Sequence, residues 1–298
     1  MNLPPKSVLM GHVSMLVFSL LVSVSFVLGA MIANLIDPNV VTFSRFLIAL
    51  VTVGALVIFR GAVSLLKLLS FWKSAVLGIL ISVYFITMFE GLKTSSSTSM
   101  AVVFTLTPLL AGFFDLTFSK RVMSKKVWIT VVVAAIGALW IIFDATLENL
   151  LTFKVGHGER LFFLGCVCHA LYAALIPKLN QGEPPIIQTF GTLFTGLILV
   201  GLVSYKEIIT TSWFSLPFIV FLTIMYLALF ATAASFFLIQ YSAVRLSSIK
   251  VMAYTYAVPI WVVCMQAIFL EDYPDHVIIV GAALIATALM ILLYNREG

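Results

Sequence analysis

Ten stretches of nearly continuous apolar residues alternate with short polar breaks, at about 11–33, 39–60, 71–90, 96–118, 126–143, 160–178, 186–204, 214–238, 249–270 and 276–294. Each is close to the ~20 residues with which a helix crosses the hydrocarbon core of a bilayer. No water is available there for backbone N–H and C=O groups, so a helix is the form such a run must take. The pattern predicts an all-α integral membrane protein of about ten transmembrane helices. Composition agrees, because hydrophobic residues make up 62% of the 298 and charged ones 10%, with a mean hydropathy of +1.16. That leaves too little polar surface to cover a water-soluble fold. Lys6 precedes the first run as it would in a secretory signal, but the run is long and others follow, so it reads as an uncleaved first helix.

The pattern also repeats. Setting Pro108 on Pro259 brings Phe104-Thr105-Leu106-Thr107-Pro108-Leu109 onto Thr255-Tyr256-Ala257-Val258-Pro259-Ile260, puts Phe118 on Phe269, and places Ser96-Ser97 on Ser247-Ser248 within a residue. One unit has been used twice. The expected organisation is a five-helix repeat over 1–143, an external linker over 144–159 and a second five-helix repeat over 160–298, together one membrane domain. A repeat with an odd number of helices inserts its second copy upside down. The equivalent turns fit this, since Ser119-Lys120-Arg121 is basic where Leu270-Glu271-Asp272 is acidic.

Lysine and arginine bias sets the orientation. With a cytoplasmic N-terminus, one side collects Lys6, Arg60, Lys67, Lys73, Lys120, Arg121, Lys125, Lys126, Lys178, Arg245, Lys250 and Arg296, and the other only Lys93, Lys154, Arg160 and Lys206. Both termini are therefore expected in the cytoplasm. The net charge of +5 reads as anchoring against anionic membrane lipid and asks for no nucleic-acid partner. Inverted repeats are the architecture of secondary transporters, whose substrate site lies near the midplane between the halves.

Several segments carry a family resemblance. Phe43-Ser44-Arg45-Phe46-Leu47-Ile48-Ala49 in the second helix, Glu90-Gly91-Leu92 followed by small residues and Thr107-Pro108, and Val258-Pro259 leading to Phe269-Leu270-Glu271 resemble the EamA-type members of the drug/metabolite transporter superfamily. The resemblance spans nearly the whole chain. It implies movement of a small metabolite across a bacterial inner membrane by alternating access, with efflux of amino acids or related amphipathic compounds as the leading expectation. Import or exchange of S-adenosylmethionine or nucleotide-type metabolites is the alternative within the family. A non-transporting membrane sensor or assembly partner is the alternative outside it.

Candidate substrate-contacting residues come from polar or aromatic side chains at membrane depth. Ser23 and Ser25 lie on the first helix, where small residues also suit close packing. Tyr84 lies on the third helix. His169 falls near the bilayer centre with Tyr172 one turn on, and a buried histidine can exchange hydrogen bonds with a polar substrate or sit neutral against a carbonyl. Tyr226 belongs to an aromatic stripe with Phe230, Phe237 and Tyr241, and Tyr254 and Trp261 share a face of the ninth helix around Pro259. Arg45 lies about 9 Å below the start of its helix. It reads as an anchor of the outer gate or as a ligand for a substrate carboxylate, with Glu90 and Asp37 as expected partners. Pro108 and Pro259 each remove a helical hydrogen bond and are expected hinges. Asp115 is expected as a solvated or paired carboxylate at a helix end.

Absent signatures narrow the chemistry. There is no GxxxxGK[ST], HExxH, GxSxG or CxxC, so nucleotide-driven pumping and metal- or serine-based hydrolysis lack their usual residues, and no enzyme activity, cofactor or metal is expected. Cys166, Cys168 and Cys264 fall inside predicted helices and read as free thiols. The expected partners are a small-molecule metabolite, membrane lipid and, as a candidate coupling ion, the proton.

Overall fold

A computed structural model of the chain describes residues 6–95, 97–119, 124–143, 146–153, 155–269 and 276–294. Among them every element is helical. The main rods are α1 (Lys6–Ile32), α2 (Pro38–Phe59), α3 (Phe71–Leu92), α4 (Ser97–Phe104 and Thr107–Phe114, running on as a π-turn over Asp115–Ser119) and α5 (Lys125–Ile142). They continue as α6 (His157–Leu179), α7 (Pro185–Val203), α8 (Phe218–Ala228, a π-turn over Leu229–Ala234, then Ser235–Ala243), α9 (Ser248–Ala253, a 3-10 turn over Tyr254–Ala257, then Val258–Phe269) and α10 (His276–Tyr294). Seven of them, α1 to α4 and α6 to α8, are long and apolar enough to cross a membrane.

Local chemistry sets the helix ends. Asp37 caps α2 by accepting from the Asn39 N–H at 2.8 Å, and Pro38 supplies the preset φ of a first helical position. Such a cap is worth about 1 kcal/mol. The Glu159 carboxylate reaches back to the Gly156 N–H at 2.9 Å to start α6. Gly61, with φ of 62°, turns the chain out of α2, a conformation that costs a side-chain-bearing residue. The two prolines act alike. Pro108 and Pro259 are each the second residue of a new helical segment, Thr107–Phe114 and Val258–Phe269, and each follows an interruption of the preceding helix. A missing N–H is harmless at that position, so the expected bend takes the form of a break just before each proline.

Packing reveals how the halves relate. α2 lies along α7, α4 along α9 and α5 along α10, while α3 packs on α6 and α7 as α8 packs on α1 and α2. Exchanging each helix for the one five places on maps this pattern onto itself. Phe43 packs beside Gly201, Phe46 beside Gly196 and Phe190 beside Gly54, so α2 and α7 run antiparallel. The turns Lys120-Arg121 and Glu271-Asp272, together with Asp144, Lys154 and Arg296, lie outside the described residues.

One large core cluster runs through both halves, including Phe26, Phe46, Phe89, Phe162 and Tyr172, and a smaller one joins α5, α9 and α10 through Val131, Tyr256 and Ile285. Large apolar side chains also cover the outside, Phe59, Val51, Ile129 and Phe218 among them. Hydrocarbon is the solvent that suits such a surface.

Candidate functional site

Four helices, α1, α3, α6 and α8, converge on an aromatic chamber at the centre of the bundle. Phe18 and Ser25 come from α1, Tyr84 and Phe85 from α3, His169 and Tyr172 from α6, and Ser235 and Phe236 from α8. Two lining helices belong to each half, and the exchange of halves swaps α1 with α6 and α3 with α8. The chamber therefore lies where the two halves meet. Its volume is about 10 Å3, room for about one water molecule.

His169 is the centre of the cluster. Its ring stacks on Tyr84 with centroids 4.4 Å apart at 17°, with Phe104 at 5.8 Å, Phe18 at 6.3 Å and Tyr172 at 6.4 Å around it. Its Nδ1 is buried without a hydrogen-bond partner among the described residues. Nearby, Gln240 Nε2 donates to the Tyr172 hydroxyl at 3.0 Å and lies 3.4 Å from Thr192 Oγ1, leaving its Oε1 buried and unpartnered. Two polar atoms, His169 Nδ1 and Gln240 Oε1, thus have no partner among the described residues, within a largely apolar surround. Small-molecule sites are built this way, with a few polar atoms set among aromatic walls.

Arg45 backs one wall of the chamber. It is fully buried, with its guanidinium carbon 3.7 Å from the ring centre of Phe85. Nε donates to Thr232 Oγ1 at 2.6 Å, and Nη2 to the carbonyls of Ala231 at 2.9 Å and Leu227 at 3.4 Å. These acceptors belong to the π-turn of α8 and the turn before it, where the widened helix leaves carbonyls available to a side chain. The expected acidic partners are elsewhere: Glu90 pairs with Lys93 at 2.8 Å, and Asp37 caps α2. Among the described residues no carboxylate lies within ion-pair distance of Arg45. Bonds to a charged group contribute about 1.5–3 kcal/mol each, against several kcal/mol to desolvate the ion. The cradle offsets burial of the charge but does not neutralise it.

The expected site residues divide into three groups. Ser25, Tyr84, His169 and Tyr172 meet in the chamber. Tyr254 and Trp261 instead line a separate apolar groove of about 330 Å3 between α1, α9 and α10, where Tyr254 bonds His12 Nδ1 at 2.8 Å and Trp261 donates to Ser19 Oγ at 2.9 Å. Ser23 and Tyr226 are not among the chamber's lining residues; Ser23 donates to the Leu20 carbonyl and Tyr226 to the Leu21 carbonyl. Pro108 and Pro259 stand at the breaks in α4 and α9, and Glu90 at the end of α3. Of the two expected roles of Asp115, solvated or paired, the structure has the paired one: it is buried and accepts from the Ile249 N–H at 3.1 Å, tying α4 to the start of α9. Phe85, Thr232, Ser235, Phe236 and Gln240 escaped the sequence reading. Gln240 carried a signal, as an amide deep in an apolar helix. No group of three His, Cys, Asp or Glu able to hold a metal occurs among the described residues.

Two successive segments, 9–143 and 157–294, match the model of the EamA-like transporter family. The chain belongs to this family. Membership accounts for the duplicated helical pattern and makes the molecule a multi-pass membrane protein of a transporter family within the drug/metabolite transporter superfamily. A relative, the uncharacterized transporter YyaM of Bacillus subtilis (strain 168), is 26% identical over 283 residues, covering 92% of this chain and 90% of that one. A solved crystal structure superposes with a TM-score of 0.76 at 18% identity, covering 96% of each chain, a likeness of fold alone.

Proposed function

We propose that the chain is a secondary transporter that carries a small amphipathic metabolite through the central chamber by alternating access across a bacterial inner membrane. The carrying observation is the position of the chamber, lined by two helices from each half and centred on His169 and Tyr84. A site shared by two antiparallel halves is one that rocking of the halves can expose to either side in turn. At about 10 Å3 the chamber is closed, so a substrate enters only when the lining helices part. Ten membrane crossings, as two inverted five-helix repeats with both termini in the cytoplasm, form the matching topology. The antiparallel pairing of α2 with α7 supports the inversion.

Aromatic walls with few polar atoms suit amino acids or related amphipathic compounds, and efflux is the direction the family resemblance favours. Ser25, Tyr84, His169 and Tyr172 are the proposed contacts. Pro108 and Pro259 are the proposed hinges, and Glu90 and Arg45 belong to the gate at the Pro38 end of α2. Purified protein in proteoliposomes, offered labelled amino acids, S-adenosylmethionine and nucleotides with and without a pH gradient, tests this reading. Saturable uptake of one class is expected, and a response to the gradient would identify proton coupling. Failure of folded protein to carry any of them would overturn it. Pro108→Ala and Pro259→Ala should each slow uptake several-fold while binding persists; unchanged rates in both would remove the hinges.

A further inference from the structure

The central chamber meets a fully buried cation through the ring of Phe85. Arg45 lies on that ring, and Phe85 itself faces the cavity. The same wall includes Ala231, whose carbonyl accepts from Arg45, and Ser235, whose hydroxyl donates to that carbonyl at 2.8 Å. Three N–H groups of the guanidinium are directed at α8, but Nη1 is buried with no hydrogen-bond partner among the described residues. A charge held in a low-dielectric interior with an unused donor awaits a counter-charge. Among the described residues no carboxylate provides one, and the two expected partners, Glu90 and Asp37, are engaged elsewhere.

We propose that Arg45 is the binding residue for a carboxylate on the transported solute, reached when the Phe85 ring swings aside. The assignment rests on the transporter reading and adds the charge class of the substrate. Because Nε and Nη2 are occupied, only one nitrogen is offered. That geometry suits one oxygen of a singly charged carboxylate better than a phosphate, whose three oxygens call for several donors. The apolar remainder of the solute would lie against Phe18, Tyr84 and Phe236, so the ligand is an acid with a compact apolar or aromatic body. Arg45 then joins two tasks. It holds the α8 π-turn in place when the chamber is empty, and its interaction with the carboxylate changes the seam between α2 and α8 when the chamber is filled.

Binding can be read without transport. Detergent-solubilised protein is titrated with phenylacetate, its neutral amide phenylacetamide, and phenyl phosphate, following the thermal unfolding midpoint. The wild type should be stabilised saturably by phenylacetate, with the amide and phenyl phosphate weaker. Arg45→Gln should lose the preference for the acid over the amide, a change of roughly 30-fold in relative affinity. Phe85→Ala, which keeps the Arg45 side chain and clears its path, should raise the acid-to-amide affinity ratio above that of the wild type. Equal responses of the wild type to acid and amide would overturn the proposal, as would an Arg45→Gln variant that keeps the preference. Should Arg45→Gln fail to fold, an unchanged acid-to-amide ratio in Phe85→Ala overturns it alone. A stronger response to phenyl phosphate would overturn the carboxylate assignment. Proteoliposome uptake that is equal in wild type and Arg45→Gln would leave transport standing and remove this site.

Discussion

Two seams that exchange places when the halves are exchanged are built from opposite chemistry. Where α2 meets α8, a buried guanidinium threads into the carbonyls of a π-turn. Where α7 meets α3, small residues let the backbones approach: a Cβ placed on Gly78 would sit 2.6 Å from Thr195 Oγ1 and 2.7 Å from the Gly196 nitrogen. Thr195 closes that contact by donating to the Ser74 carbonyl at 2.7 Å. Hydrocarbon supplies no hydrophobic drive to hold helices together, so close packing and a few hydrogen bonds must do it. The small-residue seam depends on distance and has no charge for a ligand to answer. The cationic seam depends on charge, which a bound solute can change. The duplication thus yields two equivalent joints, of which only one carries a charge that the proposed solute could answer.

The sharpest way to break the comparison is to crowd the small-residue seam. Gly78→Leu has no room against the Gly196 backbone, and overpacking of this kind costs typically about 1–3 kcal/mol, with rigid backbone as the obstacle placing it at the upper end. Unfolding in mixed detergent micelles should show a loss of about 3 kcal/mol, the largest effect predicted for either seam. A variant as stable as the wild type would mean that the helices do not approach this closely.

Much of the fold was legible because hydrocarbon leaves a chain few choices. Apolar runs of membrane length became helices, seven of them among the described residues long and apolar enough to cross a membrane, and Pro108 and Pro259 marked the interruptions of α4 and α9. The site was legible where one helix turn carried two polar side chains, as with His169 and Tyr172. It failed on α8. The stripe of Tyr226, Phe230, Phe237 and Tyr241 assumed one helical period throughout, whereas the π-turn over Leu229–Ala234 widens the helix and rotates the residues C-terminal to it. Phe236 and Gln240, beyond the turn, point inward, while Phe230 within it is exposed. Leu229-Phe230-Ala231-Thr232-Ala233-Ala234 contains no proline or glycine that would betray such a turn. Arg45 was conspicuous for its depth, but its partners are mainly backbone carbonyls, which every residue carries and which leave no mark in a sequence.

Removing one hydroxyl from the cationic seam should cost less than crowding the other. Thr232→Val keeps shape but deletes the acceptor for Arg45 Nε and the donor to the Leu227 carbonyl at 2.7 Å. A bond to a charged group contributes about 1.5–3 kcal/mol, so a loss of about 2 kcal/mol is expected in the same unfolding measurement. A loss near zero would mean that water or a rearranged fork satisfies the guanidinium, and the latch would then lie in the carbonyls alone.

The same substitution in the opposite seam completes the comparison. Thr195→Val also keeps shape, and it removes donation to the Ser74 carbonyl, with the Gly191 carbonyl at 2.9 Å as the local alternative acceptor. Both partners are neutral, and bonds between neutral groups of membrane helices average about 0.6 kcal/mol. The packing of Gly78 against Gly196 survives the change, so the predicted loss is no larger than that average. Measured side by side, Thr232→Val should cost about three times as much as Thr195→Val. If the two losses prove equal, charge contributes nothing special to the α2–α8 seam, and the two joints are equivalent in energy as well as in position. If the Thr232 loss also shrinks when phenylacetate is present, the guanidinium has found in the ligand the partner that the hydroxyl had supplied.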